Sequence, residues 1–412
     1  MSDGHLSNIT RRGNISQRVQ CLSASGIRRF FDILDGMKDV ISLGVGQPDF
    51  VTPAIIRNAA IKSIEDGQTH YTSNYGIIEL RQAISRHLQH HYDVYYEPTT
   101  EIIVTTGVSE GLNIAMQTLL DIGDEVLCPD PHFVAYPACV TLADGVFVPV
   151  PTSDANAFKV TAAALEERIT PRTKAILLGY PSNPTGAVME RDDLLAVAEL
   201  AEKHNLFVVS DEIYDRLVYG MKHTCFASLP GMQQRTILLG GFSKAYAMTG
   251  WRLGYAAAPA NVLEGMMKAH QYVMMSAPTT SQHAGVEALR SGEEDVRGMV
   301  AEYDRRRRLI VAGFNDIGLK CFEPRGAFYA FPSVGITGLS DEAFAEELLM
   351  GSGWPSCRAP LSASAASGTC GPATRSRTSS SSRRWSASAA SWTATAASNS
   401  VQPVGSPRRP LL

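Results

Sequence analysis

Residues 237–255 read ILLGGFSKAYAMTGWRLGY. The apolar run Ile237-Leu238-Leu239 has the composition of a buried strand. Gly240 and Gly241 break it, which puts Lys244 on the turn that follows. A lysine at a strand end in apolar surroundings loses its proton readily and becomes a nucleophilic amine. Arg252, eight residues on and flanked by Gly250 and Gly254, suits a phosphate. The pair points to a lysine that forms a Schiff base with a phosphate-bearing aldehyde. Taken alone, Lys244 reads first as an ordinary surface lysine after a strand; the rest of the chain decides.

The stretch resembles the lysine motif of class I/II, fold-type I pyridoxal-phosphate-dependent aminotransferases, S-x-S-K-x-x-x-x-x-G-x-R-x-G. Ser243, Lys244, Gly250, Arg252 and Gly254 match it. Gly241 stands where the motif has its first serine, a phosphate ligand in the family. The resemblance therefore implies a phosphate bond that is either missing here or supplied by backbone.

Working outward, the same kind of site recurs at other strand ends. Ile102–Thr106 is a strand, and Gly107-Val108-Ser109 opens an amphipathic helix, which offers free N–H groups to an anion. The strand at 125–128 leads into Pro131-His132-Phe133, with Tyr136 next; Phe133 is placed to stack on a flat ring. The strand at 175–180 ends in the turn Asn183-Pro184-Thr185-Gly186, and the strand at 206–210 ends at Asp211 and Tyr214. Each feature alone is ordinary: a strand–Gly–helix turn, a core aromatic, a turn asparagine, a capping aspartate.

The resemblance gives them roles. Gly107, Val108, Ser109, Ser243 and Arg252 would hold the cofactor phosphate. Phe133 would stack on the pyridine ring, and Asp211 would pair with its protonated nitrogen. Asn183 and Tyr214 would share the hydrogen bond to the phenolic oxygen. Tyr71, in Y-x-x-x-x-G-x-x-x-L-R, would reach the phosphate of a neighbouring subunit, which implies a homodimer with shared active sites. Gly46, in the G-x-G-x-P passage, would lie near the substrate carboxylate together with Asn183. The order and spacing of these positions carry the resemblance over residues 16–350.

The remaining elements are helices at 16–38, 53–66, 191–203, 261–275 and 293–317, a strand at 255–258, a G-x-F-Y strand at 326–331 and a helix from 341. The run Arg305–Arg308 is expected to be a solvated face. A chain of 412 residues exceeds one ordinary domain. The division expected is a large cofactor domain at 46–290 and an incomplete small domain from 1–45 and 291–350. The implied fold is α/β: a large α/β/α domain with a mostly parallel sheet, plus a small α+β domain.

A net charge of −4 gives no reason to expect nucleic acid. Seven scattered cysteines without C-x-x-C suit a reducing, cytoplasmic setting and no metal. The polar N-terminus carries no visible secretory signal, and no apolar run is long enough to cross a membrane.

Composition changes at residue 351. Residues 351–412 hold seven arginines and no Asp, Glu, Lys, Ile, Phe or Tyr, whereas the first 350 carry 30 basic and 41 acidic side chains. The tail reads as disordered low complexity. The family has here a P-G-x-x-F-G segment and the arginine that grips the substrate carboxylate. Codons for Gly353–Ala359, read from each third base, permit L-A-V-V-P-G; continuing through Leu361 and Ser362 permits P-G-x-x-F-G, and Cys370–Arg375 permits R-x-C-Y-A. A one- or two-base slip near residue 351 accounts for both the composition and the missing motifs.

The resemblance implies an enzyme that moves an amino group from an amino acid to a 2-oxo acid through pyridoxal 5'-phosphate, with Lys244, Asp211 and Tyr214 as its catalytic set. Two alternatives stand beside it: a C–S lyase using the same cofactor for β-elimination, and a homologue impaired by loss of the carboxylate-binding arginine.

Overall fold

The computed structural model describes residues 15–22 and 46–350, and the backbone of 390–391. A seven-stranded sheet organises the chain. Its strands are β1 (Ile102–Thr105), β2 (Glu125–Asp130), β3 (Val146–Pro151), β4 (Thr173–Gly179), β5 (Phe207–Asp211), β6 (Thr236–Gly241) and β7 (Gly254–Ala257), in the order β1-β7-β6-β5-β4-β2-β3. β7 runs antiparallel to both β1 and β6, and every other pairing is parallel.

Both faces of the sheet are covered, as continuous apolar strands require. Ile102, Val104, Leu127, Ile176, Leu178, Val208 and Leu238 belong to one core. Their strand neighbours Ile103, Val126, Ala175, Leu177, Val209, Ile237 and Leu239 belong to the other. The alternation is the period of two that sends successive side chains to opposite faces. The helices in chain order are α1 (Gln17–Gln20), α2 (Ala54–Glu65), α3 (Ile78–Tyr92), α4 (Val108–Leu119), α5 (Ala135–Leu142), α6 (Ala162–Glu166), α7 (Arg191–Lys203), α8 (Ala260–Val273), α9 (Thr279–Ser291), α10 (Glu293–Asp316) and α11 (Asp341–Met350). α2, α3, α7, α9 and α10 pack on the first core, and α4 and α8 on the second. The result is an α/β/α layering.

The expected elements lie where the sequence indicated, with instructive departures. β3 was not foreseen. Its sequence, VFVPVP, carries Pro149 and Pro151, which cannot donate to a ladder and suit an edge strand; β3 is an edge of the sheet. The strand expected at 326–331 contracts to β8 (Tyr329–Ala330), paired antiparallel with β9 (Ala390–Ser391). Of the helix expected at 16–38 only the single turn α1 is found; residues 23–38 lie outside the described residues, as do 1–14, the rest of the expected N-terminal part of the small domain, and the 351–412 tail apart from its two-residue strand.

The run Arg305–Arg308 is not a uniformly solvated face. Arg305 and Arg308 are exposed, but Arg307 is buried between Asp304 and Glu323, and Arg306 reaches Asp49. α10 turns this side of its helix inward, so Arg307 is buried and Arg306 mostly covered while Arg305 and Arg308 stay in solvent. Among the described residues no helix is long and apolar enough to cross a membrane.

Candidate active site

The parallel strands bring their carboxyl ends to one edge, where open α/β sheets carry ligands. β7, being antiparallel, starts there. The turns after β1, β2, β4 and β6, the last residue of β5 and the turn before β7 therefore meet at this edge, which carries Gly107, Phe133, Asn183, Lys244, Asp211 and Arg252.

Lys244 is half-buried, and its Nζ donates to the Gly46 carbonyl at 2.5 Å. It lies 5.6 Å from the Tyr214 ring centre and 5.5 Å from that of Phe328. Burial lowers its pKa to about 8; the Arg252 charge acts in the same direction and Asp211 opposes.

Asp211 is buried at the end of β5. Its carboxylate accepts from the Tyr136 hydroxyl at 2.8 Å and from the Ile213 amide at 3.3 Å. Burial raises its pKa to about 6, against the pull of those two bonds. Phe133, half-buried, meets Tyr136 edge to face with ring centres 5.6 Å apart, so it lies beside this acid. Asn183 is half-buried in the turn after β4.

The anion cup is built by α4. Gly107 caps the helix at φ 77° with no side-chain bond, so the first-turn N–H groups of Val108 and Ser109 keep the free valence of a helix start. A Cβ on Gly107 would lie 2.7 Å from Arg252 Nη2, so only glycine admits the guanidinium this close. Arg252 makes no ion pair among the described residues; its Nη1 donates only to the Thr249 carbonyl at 3.0 Å. Ser243 is buried beside Lys244. At Gly241 the space is tight: a Cβ there would lie 3.0 Å from Ile213 Cδ1 and 3.2 Å from Gly254 Cα.

Beneath the cup lies a dyad that sequence reasoning missed. Glu110 accepts from the Thr106 amide at 2.5 Å, and its other oxygen lies 2.6 Å from His270 Nδ1, fully buried on α8. Glu110 four residues after Thr106 was a visible signal; His270 gave none. Tyr329 and Phe328 were visible only as members of a strand. Tyr71 is 84% exposed on the surface of the single chain.

An open sheet with an amine, a carboxyl and an anion cup at one edge is the layout of a fold-type I enzyme. Residues 38–353 match the family described as Aminotransferase class I and II, and the chain belongs to that family. A putative aminotransferase of Bacillus subtilis, YugH, is 52% identical over 335 residues, spanning 81% of this chain and 87% of the relative. Aromatic-amino-acid aminotransferase 2 of Thermococcus litoralis is 42% identical over 338 residues, 81% of this chain and 87% of its own length. Among solved structures, Thermus thermophilus aspartate aminotransferase with maleate superposes with a TM-score of 0.82 at 32% identity, covering 93% of this chain and 95% of that one. The aromatic aminotransferase of Pyrococcus horikoshii gives 0.79 at 37% identity, covering 88% and 93%. The chemistry of the chain is amino-group transfer.

Proposed function

We propose that this site holds pyridoxal phosphate on Lys244 and moves an amino group between an amino acid and a 2-oxo acid. The observation that carries the reading is the meeting, at one sheet edge, of a half-buried lysine with a lowered pKa, a buried carboxyl and a helix start facing an arginine with no ion pair among the described residues. The residues fit the group. Gly107, Val108, Ser109, Ser243 and Arg252 would hold a dianionic phosphate. Phe133 would cover one face of the ring. Asp211 would keep the ring nitrogen protonated, and Asn183 and Tyr214 would bond the phenolic oxygen.

When bound, pyridoxal phosphate supplies an aldehyde that takes an amine and a cationic ring that withdraws electrons. The chain's residues do the rest. Lys244, as the neutral amine, would take the proton from the substrate α-carbon and hold it on Nζ for return. A pKa near 8 leaves it both able to accept that proton and able to give it up. Gly46 and Asn183 would meet the substrate carboxylate.

The same reading divides the chain into a cofactor domain at 46–290 and a small domain that includes 291–350. Exposed apolar side chains at Val51, Ile64, Tyr71, Tyr272 and Met275 support a homodimer in which Tyr71 serves the partner's site. Cys128, Cys139, Cys225 and Cys321 are free thiols, as a reducing, cytoplasmic setting would keep them, whereas Cys21 is disulfide-bonded and counts against that setting.

The test is an absorption spectrum of the purified protein with added pyridoxal phosphate, before and after a panel of amino acids. The panel includes aspartate and the aromatic amino acids, the donors in the relatives' names. A visible band that one donor converts to the pyridoxamine form bears the proposal out and names the substrate. Absence of any band overturns it.

A further inference from the structure

Tyr329 lies on β8, outside the sheet that carries the rest of the site. Its side chain is nonetheless buried against that site. Its hydroxyl is 2.5 Å from the Tyr214 hydroxyl, and the two rings meet edge to face at 5.7 Å. The same hydroxyl abuts Gly46, where any Cβ would overlap the Tyr329 oxygen. The Gly46 carbonyl in turn takes the Lys244 amine. Lys244, Gly46, Tyr329 and Tyr214 thus close a chain of contacts around the reactive amine.

Two hydroxyls at this distance share one proton: one donates and the other accepts. If Tyr214 donates to Tyr329, its proton is spent. If Tyr329 donates, the Tyr214 proton is free for a third group, and a phenol that accepts a hydrogen bond donates more strongly itself. Both groups are buried, so the third group is a ligand in the site rather than bulk water.

We propose that Tyr329 is a positioning residue that donates to Tyr214, turns the Tyr214 proton toward the bound ligand and strengthens that bond. The proposal rests on the assignment of pyridoxal phosphate to Lys244. The titratable groups that face the pair are Lys244, Asp211 and Tyr136, with Arg252 beside Lys244; none of them replaces the contact between the two phenols. The consequence is read on the nitrogen that joins Lys244 to the cofactor. When that nitrogen is deprotonated, the cofactor's phenolic oxygen carries a negative charge with no internal donor. A stronger Tyr214 bond stabilises that form and lowers the pH at which the proton leaves.

The experiment is the pH midpoint of the visible absorption band of the full chain loaded with pyridoxal phosphate. It is measured for the wild type, Tyr329→Phe, Tyr214→Phe and the double variant. Phenylalanine keeps the ring contacts with Tyr214 and Phe328, and thermal melting checks that it does. Tyr329→Phe is expected to raise the midpoint by about half a pH unit, the scale of one modulated hydrogen bond. Tyr214→Phe is expected to raise it further, and the double variant to match Tyr214→Phe alone. A Tyr329→Phe midpoint equal to wild type, or the same added shift with Tyr214 already removed, overturns the proposal. A wild-type chain that gives no band overturns the cofactor assignment itself, and with it the proposal. A purely structural role would lower the melting temperature and leave the midpoint where it is.

Discussion

Arg306 holds Asp49 in a two-pronged ion pair, with Nη1 2.9 and 2.8 Å from the two carboxylate oxygens. Its guanidinium also lies 5.2 Å from the centre of the Phe50 ring, and Glu302 accepts from its Nε at 2.8 Å. The pair ties α10 to the segment that begins at Gly46, and so to the Lys244 amine.

Truncating this clamp has a size set by its burial. Both side chains are mostly but not wholly covered, at 21% and 14% exposure, so the loss falls below that of a fully buried pair. Arg306→Ala is expected to cost about 1–3 kcal/mol in urea unfolding. Asp49→Asn is expected to cost less, because Glu302 still holds the arginine. Equal stability of Arg306→Ala and wild type would mean that the pair contributes nothing.

The clamp also marks where the sequence stopped being legible. Strand–turn–helix units announce themselves locally, and every residue they put on the sheet edge could be named in advance: Gly107, Phe133, Asn183, Asp211 and Lys244. What escaped are pairings across the chain. Asp49 and Arg306 are 257 positions apart, Glu110 and His270 are 160, and Tyr214 and Tyr329 are 115. No local period encodes such a pairing. A run of four arginines reads as solvated because nothing near it in sequence is there to bury it.

Lys244 should react as an amine of pKa about 8 rather than the usual 10.5. At pH 7 about a tenth of it is then neutral, roughly 300-fold more than for an ordinary lysine. The rate at which the ligand-free protein takes up pyridoxal phosphate should therefore rise with pH and reach half its maximum near pH 8. Borohydride trapping and peptide mapping should find the label on Lys244, and Lys244→Ala should take none. A midpoint above pH 10 would show that burial does not activate this lysine.

Asp211 is a buried acid whose pKa is raised from 3.8 to about 6. In the folded, ligand-free protein it binds its proton more tightly than in the unfolded chain. Between pH 3.8 and 6 the folded state therefore holds more protons, and stability falls as pH rises through that window. Asp211→Asn removes the titration. The stability of wild type relative to Asp211→Asn should fall by on the order of 2–3 kcal/mol from below pH 4 to above pH 6, whatever fixed cost the amide carries. A difference that is flat with pH would refute the raised pKa. The strain is consistent with a carboxyl kept for a cationic partner.

Tyr272 is 87% exposed, with Val273, Met274 and Met275 exposed after it on the end of α8. Such a cluster is costly to leave in water. Sedimentation of the full chain should give a dimer, and Tyr272→Glu with Met275→Glu should shift it toward monomer. A wild-type monomer at micromolar concentration would remove the proposed role of Tyr71 in a partner's site.

The family match ends at residue 353, two residues past the point from which the chain holds no Asp, Glu, Lys, Ile, Phe or Tyr. A frame slip predicts this coincidence, because it changes every residue downstream of one point and none upstream. Sequencing the gene afresh should reveal one base too many or too few near codon 351. A chain expressed from the restored frame should regain P-G-x-x-F-G and R-x-C-Y-A, and with them an arginine for the substrate carboxylate. Both chains should give the visible band, since every proposed cofactor contact lies before residue 351. Only the restored chain should turn over efficiently. If fresh sequencing returns the same open frame, and the 412-residue chain turns over as fast as the restored one, the slip is refuted and the clamp must come from elsewhere in the chain.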